Sequence, residues 1–501
     1  MPQYLLGVDI GTQGTKTCLY HENGALVASA FEASRLIEPE VGAIEQDPEE
    51  ILMSVVRTIR SVVEKSSVKS SDVAAIGMDG QMAGIMAIDE NFDAVTPYDS
   101  WLDTRCDPEI AIMKKEAGQR IIELTGAPVS YNHGPKVLRW KRRYPEIYQK
   151  AAKFVLPVTY VAGKLCRLKA DQAYLDYTCM HFSGFGDVRN MRWSDELLAH
   201  FAVDPEKMPR IAAPWEVVGR LTKNAAQMCG LTENVIVCAG AGDQAATAFG
   251  AGIVEEGLAF DVAGTASVFA SCTRRFSPDT ENETILYARS ILPELWLPLA
   301  YIGGGGLCIR WIRDIFREDN EAISYETLAR EAEKISAGSD KLMFVPHFSG
   351  RVCPNDPYVR GSFMGLSYRH NRAHMYRAVM ESIGYEYATY SRILWNLTHE
   401  TPREVYAIGG GSKSDLFNQI KSDILGVEYA ALDVSDTGSW GSAMLAGYAA
   451  GIYPDLKKEA QKHVNITRRF KPDASVYEVY QPKVSLYKES VTALHDIYRK
   501  L

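Results

Sequence analysis

The stretch Asp9-Ile10-Gly11-Thr12-Gln13-Gly14-Thr15-Lys16 has residue types and spacing that could do chemistry. Its glycines permit a tight turn and close approach of backbone to a ligand. Consecutive N–H groups in such a turn cradle a phosphate, and the hydroxyls of Thr12 and Thr15 add donors. Asp9 stands at the end of an apolar run, placed to reach Mg²⁺ through water, because Mg²⁺ usually keeps several of its waters. The same residues would also make an ordinary hairpin turn with a surface lysine, and alone they do not decide between the two. They are not a P-loop: the G-x-x-x-x-G-K-[ST] spacing is absent, and a strand rather than a helix follows.

Further glycine turns share this chemistry. Gly264-Thr265-Ala266-Ser267 is a candidate second phosphate loop. Ile408-Gly409-Gly410-Gly411-Ser412-Lys413 follows an apolar strand, Glu404 to Ile408, and leads through Ser414 into a helix past Asn418 and Ile424. Gly303 to Gly306 opens another helix, at Leu307 to Phe316. A helix N-terminus stripped of side chains suits a phosphate or the adenosine of a nucleotide. Two strand–turn–strand and two strand–turn–helix glycine clusters in one chain favour nucleotide binding over coincidental turns.

The elements that must position these turns follow from periodicity. Strands are expected at Tyr4 to Val8, Lys16 to Tyr20 and Ala25 to Ala30, with Asn23-Gly24 as a hairpin signal. Residues 48–65 carry a helical period and begin at Pro48, a favourable first-turn position. Val73 to Met78 is the next buried strand, so the chain opens as α/β with a mixed sheet. Residues 105–200 read as a helix-rich insertion. A strand at Val235 to Ala239 leads into a small-residue helix from Asp243. From Gly257 the opening logic returns, with Ala259 to Val262, the Gly264 turn and Val268 to Ser271, a weak sign of internal duplication. The expected division is 1–252, 253–470, and a connector with a final helix at 471–501.

Composition bounds the function. The 501 residues are 46% hydrophobic and 23% charged, as in ordinary globular proteins, and are too many for one core. The formal charge of −9 argues against nucleic-acid binding, which wants a basic stripe. The densest basic cluster, Arg139, Lys141, Arg142 and Arg143 beside Trp140 and Tyr144, reads as a solvated helix face. No transmembrane run and no signal-peptide pattern is evident. The nine cysteines are scattered without a C-x-x-C pair, which argues against zinc and a disulfide framework and for a reducing cytoplasm.

Gly361-Ser362-Phe363-Met364-Gly365-Leu366, then His374-Met375-Tyr376-Arg377-Ala378-Val379-Met380-Glu381, fill the constrained positions of a C-terminal family signature. Through them the chain resembles the FGGY carbohydrate kinases, from about residue 4 to 450. Tyr131-Asn132-His133-Gly134-Pro135-Lys136 resembles the N-terminal signature, with His133 where a small hydroxyl residue or proline is usual. Gly80-Gln81-Met82-Ala83-Gly84 resembles the Gly-Gln-Met-His-Gly turn of the xylulose-phosphorylating branch, with Ala83 in place of the histidine. Trp101-Leu102-Asp103-Thr104-Arg105 resembles the family's Trp-x-Asp-x-Arg. Gly240-Ala241-Gly242-Asp243-Gln244 resembles the turn whose aspartate is the catalytic base.

The resemblance implies two actin-like, ribonuclease-H-like α/β domains with a helical insertion in the first and a cleft between them that closes on sugar and nucleotide. It implies phosphorylation of a terminal hydroxyl of a ketose, D-xylulose first among pentuloses, hexuloses and polyols, with ATP and Mg²⁺. Asp243 would be the base. Gln81, Met82, Trp101, Asp103, Arg105, Tyr131, Asp243 and Gln244 would face the sugar. Gly11, Thr12, Gln13, Thr15, Lys16, Gly264, Thr265, Gly305, Gly409, Gly410, Gly411 and Ser414 would face the nucleotide, and Asp9 the metal. The expected partners are a small sugar and ATP, with no nucleic acid or membrane, and the family suggests a homodimer. Competing readings are an actin-like or chaperone-like ATPase and a sugar sensor without turnover. An Asp103–Arg105 structural ion pair competes with a sugar role for Arg105, and a helix cap competes with the base role of Asp243.

Overall fold

A computed structural model describes residues 3–318, 321–433 and 436–500. The chain forms two compact units. In the first, β1 (Tyr4–Ile10), β2 (Gly14–His21) and β3 (Leu26–Ala33) form an antiparallel meander. The helix α1 (Pro48–Ser66) follows, then β4 (Val73–Gly80), which lies parallel to β1. After helices α2 (Asp107–Thr125), α3 (His133–Arg143) and α4 (Pro157–Cys166) come β5 (Val217–Arg220), β6 (Ile236–Cys238) and α5 (Asp243–Gly250). The sheet order is β5-β6-β4-β1-β2-β3.

Local chemistry explains α1. Asp47 caps it, its Oδ1 accepting from the N–H of Glu49 at 2.8 Å, and Pro48 sits where a missing N–H costs nothing. Ile51, Leu52, Val55, Val56, Ile59 and Val62 form one buried stripe in the core with Leu6, Val8 and Leu19 of the sheet.

The second unit repeats the plan. β7 (Leu258–Ala263), β8 (Ser267–Ser271) and β9 (Trp296–Ile302) form an antiparallel meander. Helices α6 (Gly305–Ile315), α7 (Tyr325–Ala332) and α8 (Arg372–Thr398) precede β10 (Glu404–Ile408), parallel to β7. Then come α9 (Asp415–Leu425), β11 (Glu428–Leu432) and β12 (Ile466–Phe470). Six strands of this sheet run β9-β8-β7-β10-β11-β12; the first four repeat β3-β2-β1-β4 of the first unit, and the last two take the places of β6 and β5 in the opposite chain order. The duplication barely visible in sequence is plain in topology.

The units are not contiguous in sequence. The first takes in 287–296 and 436–464 as well as 1–254, whereas a linear division at 252 assigns those stretches to the second. α10 (Thr437–Ala449) is the returning element. It presses backbone against β1 and β4: a Cβ on Gly7 would stand 1.8 Å from the carbonyl oxygen of Ser439, and one on Gly77 1.9 Å from that of Ser442. Glycine is therefore required at both strand positions. The last helix, α11 (Ala474–Tyr498), belongs to the body of the second unit.

The signature helix α8 is tied to α11. Glu381 Oε1 accepts from Arg377 Nε and Tyr480 Oη, both at 2.8 Å, and from the N–H of Gly338 at 2.9 Å. Its Oε2 accepts from Ser339 Oγ at 2.8 Å. Every oxygen of this buried carboxylate is satisfied, which gives Arg377 and Glu381 an architectural role.

Candidate active site

In the first unit the site forms where strand ends meet helix starts. Asp9 ends β1 and faces Asp79 of β4 in register, while Ala241, just before α5, pairs with Asp79 from the other side. The sheet thereby brings Asp9, Asp79 and Asp243 together. Asp243 is the first residue of α5, with Gly242 in the cap position, and its Oδ1 accepts from the N–H of Gln244 at 2.6 Å. Among the described residues no donor faces Oδ2, so the helix takes one oxygen and leaves the other.

Burial pushes the Asp243 carboxyl up to about 7, and the neighbouring charge of Asp9 pushes the same way. Burial also raises Asp9 to about 6, against a hydrogen bond from Asp79 and the charge of Lys16. Asp79 lies well above the ordinary range, through burial and then the charge of Asp9. Lys16, opposite Asp9 on β2, pairs with Asp436 just ahead of α10.

Thr15 departs from expectation. It is buried, and its hydroxyl lies 2.6 Å from Ser54 Oγ on α1. The period of two in β2 turns it onto the helix, away from the Gly11 turn, so it supplies no phosphate donor there.

Thr12 is a junction. Trp101 Nε1–H donates to its hydroxyl at 2.8 Å, the hydroxyl donates to Gln81 Oε1 at 3.1 Å, and Gln81 Nε2–H donates to Gln46 Oε1 at 2.8 Å. Trp101 leaves 40% of its surface open, whereas the Gln81 amide is buried and engaged. Gln13 is exposed at the tip of the turn. Met82 packs over Gly242, where a Cβ would lie 2.4 Å from its methyl carbon. Its carbonyl oxygen accepts from His133 Nε2 at 2.6 Å. Burial drops His133 to about 4, so the ring is neutral and its proton sits on Nε2. His133 thus braces the turn that carries Ala83.

Asp103 and Arg105 resolve toward the ion-pair reading. The buried Asp103 carboxylate accepts from the N–H of Ile44 and of Arg105, both at 3.0 Å, and from Arg105 Nε at 2.9 Å. The same guanidinium reaches Glu45 at 2.6 Å and Asp99 at 3.1 Å. Glu45, Asp99 and Asp103 have the spacing of a metal cluster, but Arg105 already fills it. Both oxygens of Asp103 thus accept from within, Oδ2 from Ile44 and Arg105 and Oδ1 from the Arg105 N–H alone. Tyr131 Oη donates to Asp107 at 2.7 Å. Arg139 alone departs from the solvated-face reading of α3, being buried beside Asp99 and over the Trp140 ring, while Arg142 and Arg143 are exposed.

In the second unit a cavity of about 650 Å³ opens between α7, α8 and the turns of the sheet. Gly264, Gly410, Gly411 and Ser414 line it, and Ser414 Oγ also caps α9. Thr265, Gly305 and Gly409 do not line it. Gly305 instead lets α6 close onto Ser267, where a Cβ would meet Oγ at 2.2 Å, and Gly409 takes the turn's left-handed φ of +82°. Sequence reading missed the wall: Tyr325 and Arg330 near α7, Tyr376 and Met380 on α8, and Phe417 on α9. Amphipathic helix pattern was their only signal. The volume is that of a small-molecule site.

Among the described residues no helix is long and apolar enough to cross a membrane, and all nine cysteines are free thiols. Residues 4–250 match the family model "FGGY family of carbohydrate kinases, N-terminal domain", and residues 262–450 its C-terminal counterpart. A xylulose kinase of Bacillus subtilis is 27% identical over 497 residues, covering 99% of this chain and 98% of that one. A gluconokinase of the same organism is 25% identical, covering 100% and 99%. The crystal structure of a ligand-bound xylulose kinase from Lactobacillus acidophilus superposes with a TM-score of 0.92 at 25% identity, over 99% of each chain. The two actin-like α/β domains and the sugar-kinase chemistry are thus shown together, and the chain belongs to the FGGY family of carbohydrate kinases.

Proposed function

We propose that the protein transfers the γ-phosphoryl group of ATP to a terminal hydroxyl of a ketose, with D-xylulose the first candidate. The observation that carries this is Asp243, a carboxyl pushed up to about 7 with no donor at Oδ2 among the described residues. A base with a pKa near the working pH combines availability with proton affinity. In this reading Oδ2 takes the proton of the sugar hydroxyl as its oxygen attacks the phosphorus. Asp243 is held for that task by Gln244 N–H and by the Met82 side chain packed over Gly242. The exposed Trp101 face receives the apolar side of the sugar, anchored through Thr12. The adenosine occupies the cavity beneath Gly410 and Gly411.

Mg²⁺ suits the residues present: Asp9 lies within reach of the charges of Asp79 and Asp243, and Lys16 beside Asp9 is paired with Asp436. Asp9 would hold the ion, which when bound neutralises charge on the transferring phosphoryl oxygens.

Gluconate is the second reading, favoured by the similarity to gluconokinases. The first unit weighs against it. Arg105 is spent on Glu45, Asp99 and Asp103, and Lys136 on the carbonyl oxygen of Asp103, so neither cation is left to hold a substrate carboxylate.

The test is ADP release with Mg²⁺-ATP over a panel of ketoses, aldoses, polyols and gluconate, with Asp243→Ala alongside. Turnover with one ketose that the variant loses supports the proposal. Turnover with gluconate alone replaces the substrate, and a sugar-independent rate in both proteins removes the kinase assignment of Asp243.

A further inference from the structure

Asp79 has a place in the site that the family motifs do not give it. It is wholly buried, at the register position opposite Asp9 on the parallel neighbour of β1. Its Oδ2 accepts from Ser442 Oγ at 2.6 Å. Its Oδ1 has no partner among the described residues, and the Asp9 carboxyl is the side chain's neighbour across the strand pair. The space beside Oδ1 is kept clear by Gly438 at the start of α10, where a Cβ would stand 3.3 Å from Oδ1 and 3.3 Å from Thr247 Oγ1.

A buried carboxylate whose one unsatisfied oxygen meets a second carboxylate is unstable without a cation or a proton between them. Lys16 does not fill that place, being engaged with Asp436. Resting on the kinase reading above, we propose that Asp79 is the second carboxylate of the divalent-cation site: it stands behind Asp9 and supplies the charge that holds the ion against the nucleotide phosphates. Ser442 and the start of α10 fix its orientation, so α10 becomes part of the cation site.

The decisive substitution is Asp79→Asn, which keeps the shape and the hydrogen bond with Ser442 and removes only the charge. Asp79→Ser serves if the amide variant does not fold, with circular dichroism reporting the fold. Mn²⁺ is the probe, and its free concentration is read by electron paramagnetic resonance in the presence of ADP. Loss of one carboxylate charge next to a divalent ion should weaken Mn²⁺ retention about ten-fold or more. A folded neutral variant that retains Mn²⁺ like the wild type overturns the proposal, as does a wild-type protein with ADP that takes up no more Mn²⁺ than ADP alone. Sugar-stimulated ADP release by the wild type is measured in parallel. Its absence would fail the kinase reading, and unchanged Mn²⁺ binding in the variant beside normal wild-type turnover would fail the role of Asp79 alone.

Discussion

Replacing the base should make the protein more stable while stopping it from working. Asp243 sits at about 7 in the folded chain against an ordinary 3.8, raised first by burial and then by Asp9. A carboxyl with a raised folded pKa costs nothing below its unfolded value, where both states hold the proton. As pH rises above 3.8 the unfolded chain ionises first, and the folded state loses ground until the folded pKa is passed. At about 1.36 kcal/mol per pH unit, this cost is at most about 1.6 kcal/mol at pH 5 and about 4 kcal/mol at pH 8. Water at this part-exposed carboxyl lowers both figures. Asp243→Asn keeps the volume and can accept the Gln244 N–H bond through its amide oxygen, but carries no charge. Its gain in stability over the wild type should therefore grow from pH 5 to pH 8, read from urea denaturation of both proteins at each pH. Sugar-dependent ADP release should fall at least about 100-fold, the scale of general-base help. The reasoning is refuted if the variant is no more stable than the wild type at pH 8, or if its advantage shrinks as pH rises.

Other consequences follow from the same geometry. The turnover number should fall about ten-fold per unit below pH 7 and level off above it, because the free carboxylate of Asp243 is the active form; a profile flat down to pH 5 would assign the base elsewhere. Thr12→Val strands the buried Gln81 Oε1 and releases Trp101, which at about 1–3 kcal/mol should raise the sugar KM about 5- to 150-fold, measured at saturating ATP. Gly410→Val projects a side chain into the cavity proposed for the nucleotide with no close backbone neighbour, since the nearest atom to a Cβ there is 4.0 Å away; the ATP KM should rise at least about ten-fold while the sugar KM stays within about two-fold.

Much of this architecture could be read from the chain because it is local. The Asn23-Gly24 hairpin, the Pro48 helix start and the Gly11 and Gly409 turns are written in neighbouring residues. What escaped reading is set by register and return. Thr15 looks like a turn donor until the strand period faces it onto α1. Asp79 gains meaning only from the parallel pairing that sets it beside Asp9. Gln46 and Gln81 are ordinary glutamines until they form one hydrogen-bond chain, and Asp103 looks free until Arg105 folds back over it. The glycines at 7 and 77 sit inside strands with no turn to explain them, and their reason, the backbone of α10, lies more than 350 residues away. The cavity wall on α7 and α8 had only helical periodicity to announce it.

The most direct test of the central claim looks at the product itself. The protein is incubated with ATP, Mg²⁺ and D-xylulose, and ³¹P nuclear magnetic resonance follows the phosphorus. A new phosphate monoester split by two methylene protons, appearing with ADP and absent with Asp243→Asn, is the predicted result. Inorganic phosphate released at the same rate with or without any sugar, and unchanged by Asp243→Asn, would contradict it.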